Sequence, residues 1–122
     1  MATYSKMILS ASTDGRGIAV GGTSSGGGAT TIHTGSGTAT TLDEIWLYAV
    51  NSDAADVKLT LEWGGVTVSN DLIEVTVTAE SGLMLVAPGL LIKGNASPLV
   101  VRAWASVGSD IIIHGYVNQI TA

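Results

Sequence analysis

The sequence predicts an all-β protein, an antiparallel β-sandwich that is jelly-roll-like. Residues Val57–Trp63 alternate strictly between apolar and polar side chains, and this two-residue period is typical of a half-buried strand, not of a helix. Similar short runs recur along the chain, each bounded by turn residues, at the ~8–12-residue spacing of sandwiches and barrels. No stretch carries a convincing helical stripe, and parallel sheets would need crossover helices. A closed barrel is the second choice.

The first third of the chain is rich in Gly, Ser and Thr, and it carries only short strands. The clearest is Arg16–Val20, whereas Tyr4–Leu9 contains only a short apolar patch and Ala29–Thr34 resumes β-branched character. Residues 21–28, which include a run of three glycines, predict a flexible Gly/Ser loop. Residues 1–17 form a candidate extended N-terminal arm, and the alternative is that they supply the first strand of the protein's own sheet. We assign residues 1–122 to one domain, since the chain has the length of a single ordinary domain.

From residue 42 onward the apolar segments become denser. Ile45–Val50 is apolar on both faces, which predicts a central strand or one that is covered on both sides. Gly64-Gly65 indicates a hairpin tip, and Pro88-Gly89 indicates the end of a strand. Further strands are predicted at Val57–Trp63, Val66–Val68, Ile73–Val77, Leu83–Val86, Leu90–Ile92, Leu99–Ala105 and Ile111–Val117. Eight or nine short strands are expected in all.

Composition limits the kinds of partner. The net charge of −5 argues against nucleic-acid binding, and no apolar run approaches the ~20 residues of a membrane span. The apolar segment near the N-terminus is too short for a signal peptide, so synthesis in a cytoplasm is expected. Only 12% of the residues are charged, against ~25% in typical soluble domains. We therefore expect copies of the chain or a partner to cover part of its surface, although Thr, Ser and Gly could instead supply enough polarity.

No pattern in the chain predicts catalysis, a cofactor or a metal site. His33 and His114 lack the neighbouring ligands of a metal site and are interpreted as strand-surface or interface residues. Asp53 and Asp56 could approach a calcium ion, but their spacing differs from that of an EF-hand loop. The glycine-rich segments lack the Lys and the following helix of phosphate-binding loops. We therefore predict that the protein is not an enzyme.

Aromatic residues offer a clue to a contact surface. Trp46, Tyr48, Trp104 and Tyr116 each lie opposite the aliphatic set of their own strand, so neighbouring strands would build an aromatic outer face. A second core layer is the alternative. In the N-terminal arm, Lys6 and Arg16 would meet an acidic partner surface. The candidate interface residues are Tyr4, Lys6, Met7, Arg16, Trp46, Tyr48, Trp104 and Tyr116.

Several segments together resemble small virion proteins of tailed bacteriophages, and are similar to head decoration (cement) proteins. They are Ser12–Ile18, Thr31–Thr34, Asp43–Tyr48, Asp71–Val75, Pro88–Leu90 and His114–Asn118. The resemblance implies a β-sandwich that trimerises, lies on the outer surface of the capsid and bridges subunits of the major capsid protein, without enzymatic activity. These motifs are structural, so the family supplies no catalytic residues.

Other functions remain open from the sequence alone. A carbohydrate- or receptor-binding module could use Trp46, Trp104 or Tyr116, because aromatic rings also stack on sugars. A neck or tail position in the virion is the nearest rival to the capsid exterior. A lyase or hydrolase of the β-sandwich type has the least support, since no paired acid and base are evident.

Overall fold

The computed structural model describes residues 2–121 and confirms the antiparallel β-sandwich. Two sheets pack face to face and do not close into a barrel. The only helical element among residues 2–121 is a 3₁₀ turn at Gly26–Gly28. The strands of this part of the chain are β1 (Thr3–Ile8), β2 (Ile18–Ala19), β3 (Thr30–Thr34), β4 (Thr41–Asn51), β5 (Val57–Trp63), β6 (Leu72–Val77), β7 (Met84–Lys93), β8 (Val100–Ala105) and β9 (Ile111–Thr121).

The strand order is that of a jelly roll. Sheet A has the order β1-β9-β4-β7, with β2 also paired to β9, and sheet B has the order β3-β8-β5-β6. The chain therefore crosses repeatedly between the sheets, as in the double-sheet arrangement built from two Greek keys. Strands β4 and β9 are the long central strands of sheet A, each eleven residues in length. The central position predicted for Ile45–Val50 is confirmed.

The core lies between the sheets and is built from alternate residues of each strand. In β4, Ile45, Leu47 and Ala49 point inward, and Leu59 and Leu61 of β5 meet them from sheet B. Full burial of each large aliphatic side chain contributes about 1.5–3 kcal/mol. The other buried apolar residues are Leu9, Val20, Ile32, Val57, Val77, Ala87, Ile92, Val101, Ala103, Ala105, Ile111, Ile113 and Val117.

Two strand predictions in the middle of the chain are wrong. Val66–Val68 is not a strand but part of the connection between β5 and β6, and Val68 is 78% exposed. Asp71 holds this connection closed, because its carboxylate accepts the N–H of Thr67 and its carbonyl accepts the N–H of Trp63.

Pro88-Gly89 does not end a strand, because β7 continues through it to Lys93. Strand β7 is at the edge of sheet A, where a proline without an N–H removes no necessary ladder bond. Gly89 has φ +76° and lies at a register shift against β4, so it forms a bulge that other residues would adopt only with strain. The two short strands predicted on either side are one strand.

The N-terminal segment forms a strand of the protein's own sheet. Thr3–Ile8 pairs with the C-terminal half of β9, from Thr121 to Tyr116, which agrees with the alternative to a free arm. Contact of this segment with a partner stays a prediction. The predicted strand Arg16–Val20 shrinks to the two residues of β2.

The Gly/Ser loop at 21–28 is tied to sheet B rather than detached from it. The hydroxyl of Ser25 and the N–H of Gly26 both donate to the carboxylate of Glu62, which is fully buried. At the base of the loop, the N–H of Ala105 donates to the carbonyl of Gly22. The loop therefore covers Glu62, an outward-facing residue of β5.

Candidate functional site: the outer face of sheet A

The outer face of sheet A is apolar, although an antiparallel sheet that faces water normally carries polar residues there. We call the outward side chains of β1, β9, β4 and β7 the aromatic face. Its apolar members are Tyr4, Ile8, Leu42, Trp46, Tyr48, Val50, Leu85, Pro88, Leu91, Ile112, Tyr116 and Ile120. Those at the two edges are the most open to solvent, with Tyr4 71% and Leu91 52% exposed.

Strand register arranges these side chains in rows across the sheet. One row runs from Ile8 through Tyr116 and Trp46 to Pro88, one residue from each strand. The rings of Trp46 and Tyr116 are stacked, with centroids 6.2 Å apart and planes 12° from parallel. The ammonium of Lys6 lies 4.9 Å from the centre of the Tyr116 ring, a cation–π distance. This row is a rigid apolar strip.

The neighbouring row is polar and contains Lys6, Asn118 and Glu44. The Oε1 atom of Glu44 accepts hydrogen bonds from the Trp46 indole N–H at 2.7 Å and from the Asn118 amide at 3.1 Å. These two bonds lower the pKa of Glu44, the bond from Trp46 more than the bond from Asn118. Glu44 is therefore ionised and fixed in place at neutral pH.

Three further rows complete the face, and the one next to the aromatic strip contains His114, Tyr48 and Leu85. The row on the other side of the polar row contains Tyr4, Ile120 and Leu42. At the opposite end of the face, Val50 pairs with Ile112. With strands ~4.8 Å apart and outward residues ~6.7 Å apart along each strand, the face covers roughly 500–600 Å². The apolar members account for roughly 400 Å² of this area, which is the size of the largest apolar patch on a typical monomer, and such patches are often functional.

The outer face of sheet B is different. Lys58 and Glu74 form an exposed ion pair at 2.7 Å, and Arg102 and Thr76 also face outward. Glu62 is buried although it points away from the core, because the loop at 21–28 covers it, and Thr60 on the same face is also buried. The two outer faces of the sandwich thus differ in chemistry, and only that of sheet A is broadly apolar.

The structure brings together five of the eight candidate interface residues: Tyr4, Lys6, Trp46, Tyr48 and Tyr116. Met7 does not belong to the face, because it pairs with Val117 on the inward side and packs against the core. Trp104 lies on β8 in sheet B, away from the other aromatics. Arg16 is exposed in the connection between β1 and β2.

Sequence reasoning missed Ile8, Leu42, Glu44, Asn118 and Ile120 as members of the face. The alternation within β4 and β9 contains part of the signal, but it becomes a surface only once the two strands are known to be neighbours.

A second polar cluster lies inside the sandwich. His33 is 1% exposed, which corrects its interpretation as a surface or interface residue. Its Nε2 is 2.7 Å from Oδ2 of Asp43, and its Nδ1 accepts the backbone N–H of Ser10 at 3.1 Å. The proton therefore lies on Nε2 and is donated to Asp43. The other carboxylate oxygen of Asp43 accepts the Gln119 amide at 3.0 Å.

This cluster has the residue types of a catalytic triad without its arrangement. The lone pair of Nδ1 is used by a backbone amide, while the hydroxyl of Ser10 accepts the N–H of Thr34. No hydroxyl is placed for His33 to activate. The cluster instead links β3 of sheet B to β4 and β9 of sheet A, and its role is structural.

The acidic loops do not build a metal site in the described part of the chain. Asp53 lies beside Asp110, and partial desolvation together with the charge and a hydrogen bond of Asp53 raises the pKa of Asp110. Asp56 instead accepts the N–H of Ala79. Across residues 2–121, no three potential ligands among His, Asp and Glu come together, and no pocket is formed.

No protein-family model, no curated protein and no solved structure matches the chain. Residues 2–121 contain no helix with the length and apolar character needed to cross a membrane.

Proposed function

We propose that the protein is a structural protein of a virion, and that it acts as a capsid decoration protein that stabilises a phage head by bridging subunits of the major capsid protein. The aromatic face is the observation that carries the proposal. It is a largely apolar surface on the outside of a sandwich whose other outer face carries an exposed ion pair, and its apolar part, roughly 400 Å², has the size of patches that are often functional.

The size of the face suits a protein that binds a lattice. An area of roughly 500–600 Å² is below the ~800 Å² per partner of a standard stable interface. Single contacts of this size are weak, because association itself costs about 4–15 kcal/mol. On a symmetric shell, many copies and several contacts per copy add together, so weak individual contacts still produce a stable assembly.

The fold agrees with this proposal without deciding it. Jelly rolls occur in viral capsid proteins and also in lectins, and a fold does not by itself determine function. The resemblance of several segments to head decoration proteins favours the virion over other settings. A neck or tail position would use the same face, and the number of copies per particle separates the two positions.

The test is binding to purified phage heads that lack the protein. The unmodified chain should bind them and raise their resistance to heat, and Trp46→Ala combined with Tyr116→Ala should abolish binding. Lys58→Ala and Thr76→Ala, on the outer face of sheet B, are the matched control and should bind as the unmodified chain does. Equal binding by both double variants, or no binding by the unmodified chain, would contradict the proposal.

One observation favours carbohydrate binding as a second candidate. The stacked rings of Trp46 and Tyr116 lie beside hydrogen-bonding groups of Glu44 and Asn118, a combination that can hold a sugar ring. Binding on a glycan array that is lost in Trp46→Ala and in Asn118→Ala would support this function. A chain that binds heads but no glycan would exclude it.

A further inference from the structure

We propose that the aromatic face is self-complementary and that two copies of the chain stack through it, about a two-fold axis that runs along β9. The inference rests on the contact face of the proposed function and names a second copy as the occupant of that face in the free protein; binding to a phage head would displace this second copy. Stacked sheets lie ~10 Å apart, and a two-fold contact uses the same patch on both copies.

The polar row selects this axis. Lys6 on β1 and Glu44 on β4 flank Asn118 on β9, each about 4.8 Å to one side. Rotation about an axis along β9 exchanges the positions of β1 and β4. Lys6 of one copy then lies over Glu44 of the partner subunit, and this opposition occurs twice. An axis along the row would instead place Lys6 over Lys6 and Glu44 over Glu44, which like-charge repulsion disfavours.

Both charges are available for such a contact. Within residues 2–121 the basic side chains that contact a carboxylate are His33, which contacts Asp43, and Lys58, which contacts Glu74, so Lys6 has no carboxylate partner in this part of the chain. Both hydrogen bonds to Glu44 end on Oε1. Among the described residues Oε2 accepts none, so it is free for an incoming ammonium.

The apolar rows match under the same rotation. Ile8 would lie over Trp46 of the partner subunit, and Tyr4 over Leu42 of the partner subunit. Stacked sheets cross at ~30°, which displaces a residue that lies 4.8 Å from the axis by only about 2.5 Å relative to its counterpart. A lysine side chain spans that offset. The rotation superposes β1, β9 and β4 but leaves β7 uncovered, so roughly 400 Å² of each copy is covered, an area that suits a weak dimer.

Charge reversal tests the inference by sedimentation equilibrium of the full chain. The unmodified chain should be a dimer at tens of micromolar, and Lys6→Glu and Glu44→Lys should each weaken dimerisation at least about tenfold because both ion pairs become repulsive. An equimolar mixture of the two variants should dimerise about as strongly as the unmodified chain, since the mixed pair restores both oppositions. Lys58→Glu on sheet B is the control and should leave the dimer unchanged.

A monomer at about 100 μM, or variants that dimerise like the unmodified chain, would overturn the inference, because charge pairs within reach normally alter association. The inference would also be overturned if the mixture of the two variants dimerises no more strongly than either variant alone. If Glu44→Lys fails to fold, dimerisation of the Lys6→Glu variant alone still tests the inference, because Lys6 is exposed and its replacement does not affect folding. A monomer that binds heads through Trp46 and Tyr116 would refute the dimer alone. A dimer in which neither the unmodified chain nor Lys6→Glu binds heads would refute the proposed function alone.

Discussion

Asp43→Ala should destabilise the fold far more than loss of a surface carboxylate. Within residues 2–121, two carboxylates contact a basic side chain at the same distance of 2.7 Å: Asp43 accepts a hydrogen bond from neutral His33, and Glu74 forms an ion pair with Lys58. The side chains of the first pair are 1% and 2% exposed, and those of the second are 54% and 51% exposed. Burial therefore determines the expected cost of losing each contact, although only the exposed contact joins two full charges.

The magnitude follows from the bonds that are lost. Asp43→Ala removes a charge-assisted hydrogen bond and leaves the Nε2–H of His33 buried without an acceptor, at about 2–4 kcal/mol. Gln119 is partly exposed, so water replaces its lost partner. At about 4 °C per kcal/mol for a domain of this size, the melting temperature should fall by roughly 8–16 °C. Glu74→Ala should cost no more than about 1 kcal/mol.

Asp43→Asn is the informative third variant. An asparagine can still accept the proton of His33, and Gln119 can turn its amide so that its oxygen meets the new NH₂ group. The expected loss is about 1 kcal/mol, from the missing charge alone. Urea denaturation and calorimetry at pH 7 measure all three variants. If Asp43→Ala costs no more than Glu74→Ala, the cluster does not link the two sheets as we infer.

Further predictions concern the packing of β9 and the response to acid. Gly115→Ala should cost about 3 kcal/mol or more, because its Cβ would overlap the carbonyl oxygen of Trp46, whereas Gly27→Ala meets open space and should be nearly neutral in urea denaturation. Partial desolvation and a neighbouring aspartate raise the pKa of Asp110 in the folded protein above its ordinary value of 3.8. The stability that protonation of Asp110 provides is therefore present below pH 3.8 and is lost as the pH rises through the pKa of the folded state. Asp110→Asn should therefore raise the melting temperature at neutral pH and not at about pH 3. The pKa of Glu44 is lowered, so its contribution is present above pH 4.5 and lost as pH falls through the lower folded value. Glu44→Gln should therefore have a lower melting temperature than the unmodified chain at neutral pH and the same melting temperature in acid. A difference in melting temperature that persists in acid would contradict this.

The sequence was sufficient for elements whose signal is local. Strict alternation predicted β5 with the same bounds as the structure, Val57–Trp63. It failed where the answer depends on distant neighbours. Pro88 would end a central strand but is accommodated on an edge strand, and nothing near it in sequence shows that β7 lies at an edge. The N-terminal strand has few apolar residues, and its partner is the last strand of the chain.

The candidate site was predictable only in part for the same reason. Alternation indicated that Trp46 and Tyr116 point away from the aliphatic core, but their stacking requires that β4 and β9 be adjacent, which jelly-roll topology decides. Trp104 carries the same local signal and lies in the other sheet. The burial of His33 likewise depends on β3 and β4 being in opposite sheets, across the core from each other.

Polar pairs fix the register on which the aromatic face depends. Because β4 is apolar on both sides from Ile45 to Val50, its hydrophobic pattern alone would resist a one-residue slip only weakly. Two bonds between β4 and β9 resist it, Glu44 with Asn118 on the outer side and Asp43 with Gln119 on the inner side. A slip would break both bonds and leave the buried carboxylate of Asp43 without its amide donor. These polar residues cost free energy when they are buried, but their hydrogen bonds hold β4 and β9 in the register that places Trp46 beside Tyr116 and so creates the aromatic face.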